Sequence, residues 1–219
     1  MSAVRIQSNH KNGVELKKIF FILAALSIII FLFFFDIPIW QAARNLVEPD
    51  YLYISKLLTN WGLYLFYAVF AGFWIYALIR KNRRLINVGL AYLKAQIIFS
   101  LVVVRILKVV LGRARPGYGS GFAFFETSDK YNAFPSGHAA DAFVSGVFLY
   151  YLLKQTKYAG FRFLPLIYAF LIAISRVFVS AHHPSDVAAG IAIGILGAWF
   201  FIYRNQQKGN LPEGHNFLS

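Results

Sequence analysis

Residues 163–203 read FLPLIYAFLIAISRVFVSAHHPSDVAAGIAIGILGAWFFIY: two apolar runs, 163–181 and 187–203, joined by a short polar break that holds His182, His183 and Asp186. Each run is long enough, or nearly so, to cross the hydrocarbon of a bilayer as a helix. Working outward, further apolar runs occur at 19–35 and 61–79. Two others carry charge: 85–111 contains Lys94, Arg105 and Lys108, and 138–153 contains Asp141 near its start. Read as spans with functional polar faces, these complete an all-α polytopic membrane protein of six transmembrane helices; the alternative makes one of the two a re-entrant segment. Composition agrees, since 58% of residues are apolar and only 14% charged, far too greasy for a soluble domain of this length.

The net charge of +13 does not indicate nucleic acid, because the basic residues are scattered between apolar stretches and form no soluble basic face. The absence of cysteine excludes disulfides, iron-sulfur clusters and thiolate zinc sites. Any metal would need histidine and carboxylate ligands.

Lys and Arg gather on cytoplasmic segments of membrane proteins. Here they gather at Arg5, Lys11, Lys17 and Lys18, at Arg80, Lys81, Arg83 and Arg84, at Lys154, Lys157 and Arg162, and at Arg204 and Lys208. With six spans these regions share one side, the cytoplasm. The opposite side receives most of the acids: Asp36, Glu48, Asp50, Glu126, Asp129 and Asp186. The expected organisation is a cytoplasmic N-terminal arm (1–18), a single membrane domain (19–203) and a cytoplasmic tail (204–219) that reads as disordered. A basic leader and the small residues Ala42 and Ala43 would also suit a cleaved signal peptide, but the apolar core is long for that role.

Three stretches bring chemistry to the acidic face: Lys108 through Arg113, Arg115 and Pro116; Pro135-Ser136-Gly137-His138; and Ser175-Arg176 through His182, His183 and Asp186. Ionisable groups in or beside spans are costly and mark functional pathways. Arg suits bidentate contact with phosphate oxygens, and Lys supplies a compact charge. Ser136 and Gly137 precede an apolar helix, whose N-terminal N–H groups favour an anion. Taken singly, each has a bland reading: a snorkelling Lys108 or Arg176, an ordinary turn and cap at Pro135-Ser136-Gly137, a structural His138 or His182. Their joint occurrence at consistent topology describes a phosphate cradle.

Together the three stretches resemble the tripartite signature of the type 2 phosphatidic acid phosphatase (PAP2) superfamily, which also includes the vanadium haloperoxidases: K-x6-R-P at Lys108, Arg115 and Pro116, P-S-G-H at Pro135 to His138, and S-R-x5-H-x3-D at Ser175, Arg176, His182 and Asp186. The resemblance covers residues 17–205 or so and implies a PAP2-like helical bundle, a site in outward-facing loops and a two-step transfer through phosphohistidine. His182 would attack phosphorus while Asp186 holds its other ring nitrogen. His138 would protonate the leaving oxygen and then activate water. Lys108, Arg115, Arg176 and the N–H groups near Ser136 and Gly137 would stabilise the equatorial oxygens. No metal and no cofactor is called for.

Only His182 satisfies both motif spacings, which leaves His183 a structural or supporting role. Asp141, three residues beyond His138 on one helical face, either tunes that histidine or pairs locally. Lys94, Arg105 and Lys108 are spaced by near-whole turns and should share a face; Arg105 then contacts a second anionic group of the head group or pairs with a neighbouring helix.

Rival readings remain. A metal hydrolase could draw on His138, Asp141, His182, His183 and Asp186, although three nearby cations oppose a divalent ion. A haloperoxidase leaves six spans without purpose, and a lipid transporter leaves the histidines unexplained. A lipid-to-lipid phosphotransferase differs only in its acceptor. Candidate substrates are phosphatidic acid, phosphatidylglycerol phosphate, an isoprenyl diphosphate or a lipid A-type phosphate. Short loops resemble those of bacterial members of the family, implying an inner membrane with a periplasmic site.

Overall fold

The computed structural model describes residues 2–209 and 211. Its helices are α1 (Ser2–Leu46), α2 (Pro49–Ile79), α3 (Arg83–Ala95), which continues through π-helical turns (Gln96–Val103) into α4 (Val104–Leu111), then α5 (Gly137–Lys154), α6 (Leu164–Phe178) and α7 (Pro184–Gln207). Four helical stretches are long and apolar enough to cross a membrane: Ile22–Leu46, Pro49–Ile79, Ala159–Phe178 and Pro184–Gln207. Large apolar side chains such as Phe31, Phe34, Trp61 and Leu65 face outward on α1 and α2, the expected surface for a protein whose solvent is lipid.

Local chemistry sets the helix boundaries. Pro49 opens α2, where a missing N–H costs nothing. The Asn82 side chain accepts from the N–H groups of Arg84 (3.0 Å) and Leu85 (3.2 Å), satisfying two of the free donors that begin α3. Gly112 ends α4 with φ 53°. A Cβ there would lie 1.8 Å from the Ala123 carbonyl oxygen, so only glycine lets the chain turn into the loop of residues 112–136.

The core lies in two layers. One joins Phe70, Val88, Tyr92, Phe148 and Phe201, with Phe70 and Tyr92 stacked at 3.6 Å. The other, nearer the motif residues, joins Trp40, Phe66, Ala139, Phe143, Ile172 and Val177. Helix α7 lies directly on α5, because a Cβ at Gly190 would fall 2.3 Å from the Ser136 carbonyl oxygen. That close approach sets the start of α7 beside the start of α5 and brings two of the three motif stretches together.

Several expectations are corrected. Asp36 and Asp50 are not loop residues: α1 runs on past Asp36 and Pro38 to Leu46, and Asp50 lies in the first turn of α2. An ionised carboxylate reads as the end of a span because bare charge in lipid is costly, whereas the folded protein neutralises Asp36 with an arginine from elsewhere in the chain. Asp186 likewise sits in the first turn of α7. The backbone of 2–18 is helical and continuous with the first apolar run. The tail expected to be disordered after Tyr203 stays helical to Gln207, and Leu211 is buried in the first core layer; residues 212–219 lie outside the described residues.

Candidate active site

The loop between α4 and α5 is strapped by its own backbone. Ala123 N–H donates to Gly112 O (2.8 Å), Ala114 N–H to Gly121 O (2.9 Å), Ala133 N–H to Arg113 O (3.0 Å) and Arg115 N–H to Lys130 O (2.8 Å). These bonds place Asn132 between two expected cations. Lys108 Nζ donates to the Asn132 carbonyl oxygen, and the Arg115 guanidinium donates to Asn132 Oδ1 through Nη2 (2.6 Å) and Nε (3.2 Å). Asn132, absent from the sequence motifs, therefore orients both.

Arg176, from the last turn of α6, is buried with Nε unpartnered. Lys108, Arg115 and Arg176 all lie within electrostatic reach of His138, and Lys108 and Arg176 within reach of His182. Ser136 is fully buried, its hydroxyl unpartnered, and its N–H donates to Asp186 O at 2.9 Å, tying the second motif to the third. Gly137 begins α5, with its dipole directed at this cluster. Three cations, an orphaned hydroxyl and a helix N-terminus thus gather near His138 and His182, a set of groups with the chemistry to receive an anion.

Asp186 is held through both of its carboxylate oxygens. Arg113 Nη1 donates to its Oδ1 at 2.5 Å and the His183 backbone N–H to its Oδ2 at 2.8 Å. Arg113 also donates through Nη2 to Asp36 Oδ2 (2.6 Å) and through Nη1 to Ser185 Oγ (2.6 Å), while the Ser185 N–H donates to Asp36 Oδ1 (2.8 Å). Phe33 and Phe122 flank the guanidinium, at 4.8 and 5.6 Å from ring centre to Cζ. Arg113, Asp36 and Asp186 are all at most 1% exposed. This buried Asp36–Arg113–Asp186 network was missed in the sequence.

Asp186 Oδ2 lies between two imidazoles, 3.8 Å from His182 Nδ1 and 3.5 Å from His183 Nδ1. Distance alone favours His183, but both ring nitrogens of His183 are buried without a partner, whereas only Nδ1 of His182 is so enclosed. His182 Nε2 is the one ring nitrogen of the pair that is not so enclosed. Burial, reinforced by Lys108 and Arg176 and opposed by Asp186, pushes the His182 pKa down to about 3, so its imidazole is neutral at physiological pH and carries a lone pair.

His138 is half-buried, with a hydrogen bond to the Thr59 backbone. It is also the meeting point of two environments. A cavity of about 560 Å³ between α2, α3, the π-helical turns and α5 is lined mainly by apolar side chains and reaches the cationic cluster only at Gly137 and His138.

Of its two readings, tuning His138 or pairing with neighbouring groups, Asp141 shows the second. Its carboxylate is engaged by the Tyr67 hydroxyl and by Gln96 Nε2 (2.8 Å). The expected stripe of Lys94, Arg105 and Lys108 is formed in part: Arg105 and Lys108, three residues apart on α4, lie within electrostatic reach of each other, whereas the π-helical turns between Lys94 and Arg105 break the 3.6-residue spacing that would align Lys94 with them. Among the described residues, no group of three or more His, Asp or Glu side chains is placed to hold a metal ion.

Residues 84–210 match the sequence model of the PAP2 superfamily. A lipid A 1-phosphatase of Rhizobium johnstonii is 32% identical over 190 residues, covering 80% of this chain and 73% of the relative. A protein named bacitracin transport permease BcrC, from Bacillus licheniformis, is 30% identical over 165 residues, covering 73% and 75%. The crystal structure of a transmembrane PAP2-type phosphatidylglycerolphosphate phosphatase from Bacillus subtilis superposes with a TM-score of 0.60 at 22% identity, covering 84% of this chain and 96% of the other. With its three motifs gathered at one end of an all-helical bundle and the family match running across more than half of its length, the chain belongs to the PAP2 superfamily.

Proposed function

We propose that this protein is a metal-independent membrane phosphatase that hydrolyses the phosphomonoester or terminal diphosphate of a lipid through a phosphohistidine intermediate. One observation carries the reading: a cationic anion cradle meets an apolar cavity at a single titratable side chain, His138. A phosphate in the cradle and a lipid body in the cavity put the bond between them beside that imidazole. His182 is the nucleophile, oriented by Asp186, and forms a P–N bond as the lipid oxygen departs with the proton of His138. His138 then takes a proton from water, which attacks phosphorus, frees His182 and yields inorganic phosphate. Lys108, Arg115, Arg176, the Ser136 hydroxyl and the Gly137 N–H stabilise the equatorial oxygens in both steps, the Ser136 N–H being spent on the Asp186 carbonyl. A lipid hydroxyl in place of water would make the same site a phosphotransferase. The named relatives support a lipid substrate, phosphatidic acid, phosphatidylglycerol phosphate, an isoprenyl diphosphate and lipid A being the candidates.

Because three cations are neutralised by a phosphate and not by a divalent ion, activity on such a lipid panel is expected to persist in excess chelator and to fall when vanadate occupies the cradle. Activity lost on chelation and restored by zinc or magnesium would refute this.

In the proposed topology all six long helical stretches cross a bacterial inner membrane, with both termini cytoplasmic and the cradle periplasmic, as the Lys/Arg asymmetry supports. The sequence has no cysteine, so single-cysteine variants are clean reporters. Ser120→Cys is expected to react with an impermeant thiol reagent outside intact cells and Asn82→Cys is not; the reverse labelling would invert the topology.

A further inference from the structure

The cavity beside His138 is apolar except along one wall, where Tyr67, Tyr92, Gln96 and Asp141 come together from α2, α3, the start of the π-helical turns and α5. Neither the three motifs nor the reaction above uses this cluster, and polar groups within a span are costly enough to require a reason.

Its hydrogen-bond inventory is one-sided. The Gln96 amide nitrogen faces Asp141 Oδ1 (2.8 Å), Ser145 Oγ (2.9 Å), Tyr92 Oη (3.1 Å) and Asp141 O (3.3 Å), so its two N–H groups are fully spent. A flipped amide would turn Oε1 against a carboxylate and a carbonyl, which fixes the orientation. The Tyr67 hydroxyl donates to Asp141, and of the Tyr92 and Ser145 hydroxyls, 3.2 Å apart, one donates to the other. The atom of the cluster with no partner at all is an acceptor: Gln96 Oε1, which is buried. A group that completes this wall has to donate.

We propose that the cluster is a specificity subsite that selects lipid phosphates bearing a hydrogen-bond donor, an amide N–H or a hydroxyl, close to the oxygen that leaves, and that Gln96 Oε1 accepts it. The inference rests on the phosphatase reading above and narrows its substrate class. Asp141 lies one helical turn beyond His138, so the wall adjoins the segment of substrate just past the scissile bond. N-acylated sphingoid and N-acylated amino-sugar phosphates carry donors there. Diacylglycerol phosphate offers only ester oxygens there, and an isoprenyl diphosphate only the oxygens of its inner phosphate, acceptors in both cases. A buried acceptor left unpaired by the wrong lipid is penalised, which is how a polar site discriminates.

The test uses the purified full chain in mixed micelles with ceramide 1-phosphate, an N-acylglucosamine 1-phosphate lipid and phosphatidic acid, at matched chain length and equal mole fraction. For at least one donor lipid, kcat/KM is expected to exceed that for phosphatidic acid by about tenfold, chiefly through KM. Whichever donor lipid is favoured identifies the source, sphingoid or amino sugar. In Gln96→Leu, and in Gln96→Met should the first variant fold poorly, the ratio between the two lipids is expected to fall close to one. A ratio already near one in the wild type, or one unchanged in both variants, would overturn the subsite and leave the cluster as a clamp between helices. Absence of phosphate release from every lipid would instead overturn the phosphatase reading beneath it.

Discussion

His182→Ala is expected to release no phosphate from any phosphoester, whereas His138→Ala is expected to be selective in what it loses. A nucleophile is required whatever group departs. A general acid matters in proportion to how badly the leaving oxygen bears negative charge, and its removal costs about 10²- to 10⁴-fold where that oxygen is an alkoxide. On a lipid phosphate His138→Ala is therefore severely impaired. On an activated aryl phosphate, whose phenolate leaves unaided, it retains far more of the first chemical step. Water activation is lost as well, so the second step becomes limiting and phosphoenzyme accumulates. Single-turnover rates of both variants on both substrates measure this. Equal loss of both substrates in His138→Ala, or turnover of either in His182→Ala, contradicts the roles assigned.

The second large effect falls on a residue that touches no substrate. Arg113→Leu removes the cation bonded to two buried carboxylates, Asp36 at 2.6 Å and Asp186 at 2.5 Å. Breaking a buried ion pair from one side strands uncompensated charge, at about 3–5 kcal/mol. The variant is expected to melt well below the wild type in detergent and to be inactive, since Asp186 loses the contact that fixes its Oδ1. Adding Asp36→Leu removes one of the two stranded charges, so the double variant should recover part of the lost stability without recovering activity. A single variant that melts like the wild type, or a double variant that regains turnover, would show that Arg113 does not position Asp186.

The ease with which these residues are read from sequence follows from chain distance. Lys108, Arg115, His138, Arg176, His182 and Asp186 stand at fixed spacings within short stretches, each tied to a helix end, so local pattern suffices to gather them. Asp36 and Arg113 are 77 residues apart, and each alone has an ordinary reading, Asp36 as the end of a span and Arg113 as a neighbour of the phosphate-binding arginine. Two unclaimed charges of opposite sign at span ends on the same face were the available signal. Asn132 offered none, because its role depends on how the α4–α5 loop folds back. The π-helical turns at Gln96–Val103 carry no mark in the apolar pattern, which is why a face drawn at 3.6 residues per turn does not place Lys94 against Arg105 and Lys108.

The central claim is that phosphorus passes through His182. Rapid-quench labelling of the wild type and of His138→Ala with a ³²P-labelled aryl phosphate, followed by mapping of the protein-bound label, tests it most directly. The account predicts acid-labile, alkali-stable label on His182, transient in the wild type, accumulating in His138→Ala and absent from His182→Ala. Label on His183 or on a carboxylate, or turnover in the wild type with no label detected on either protein, would contradict it.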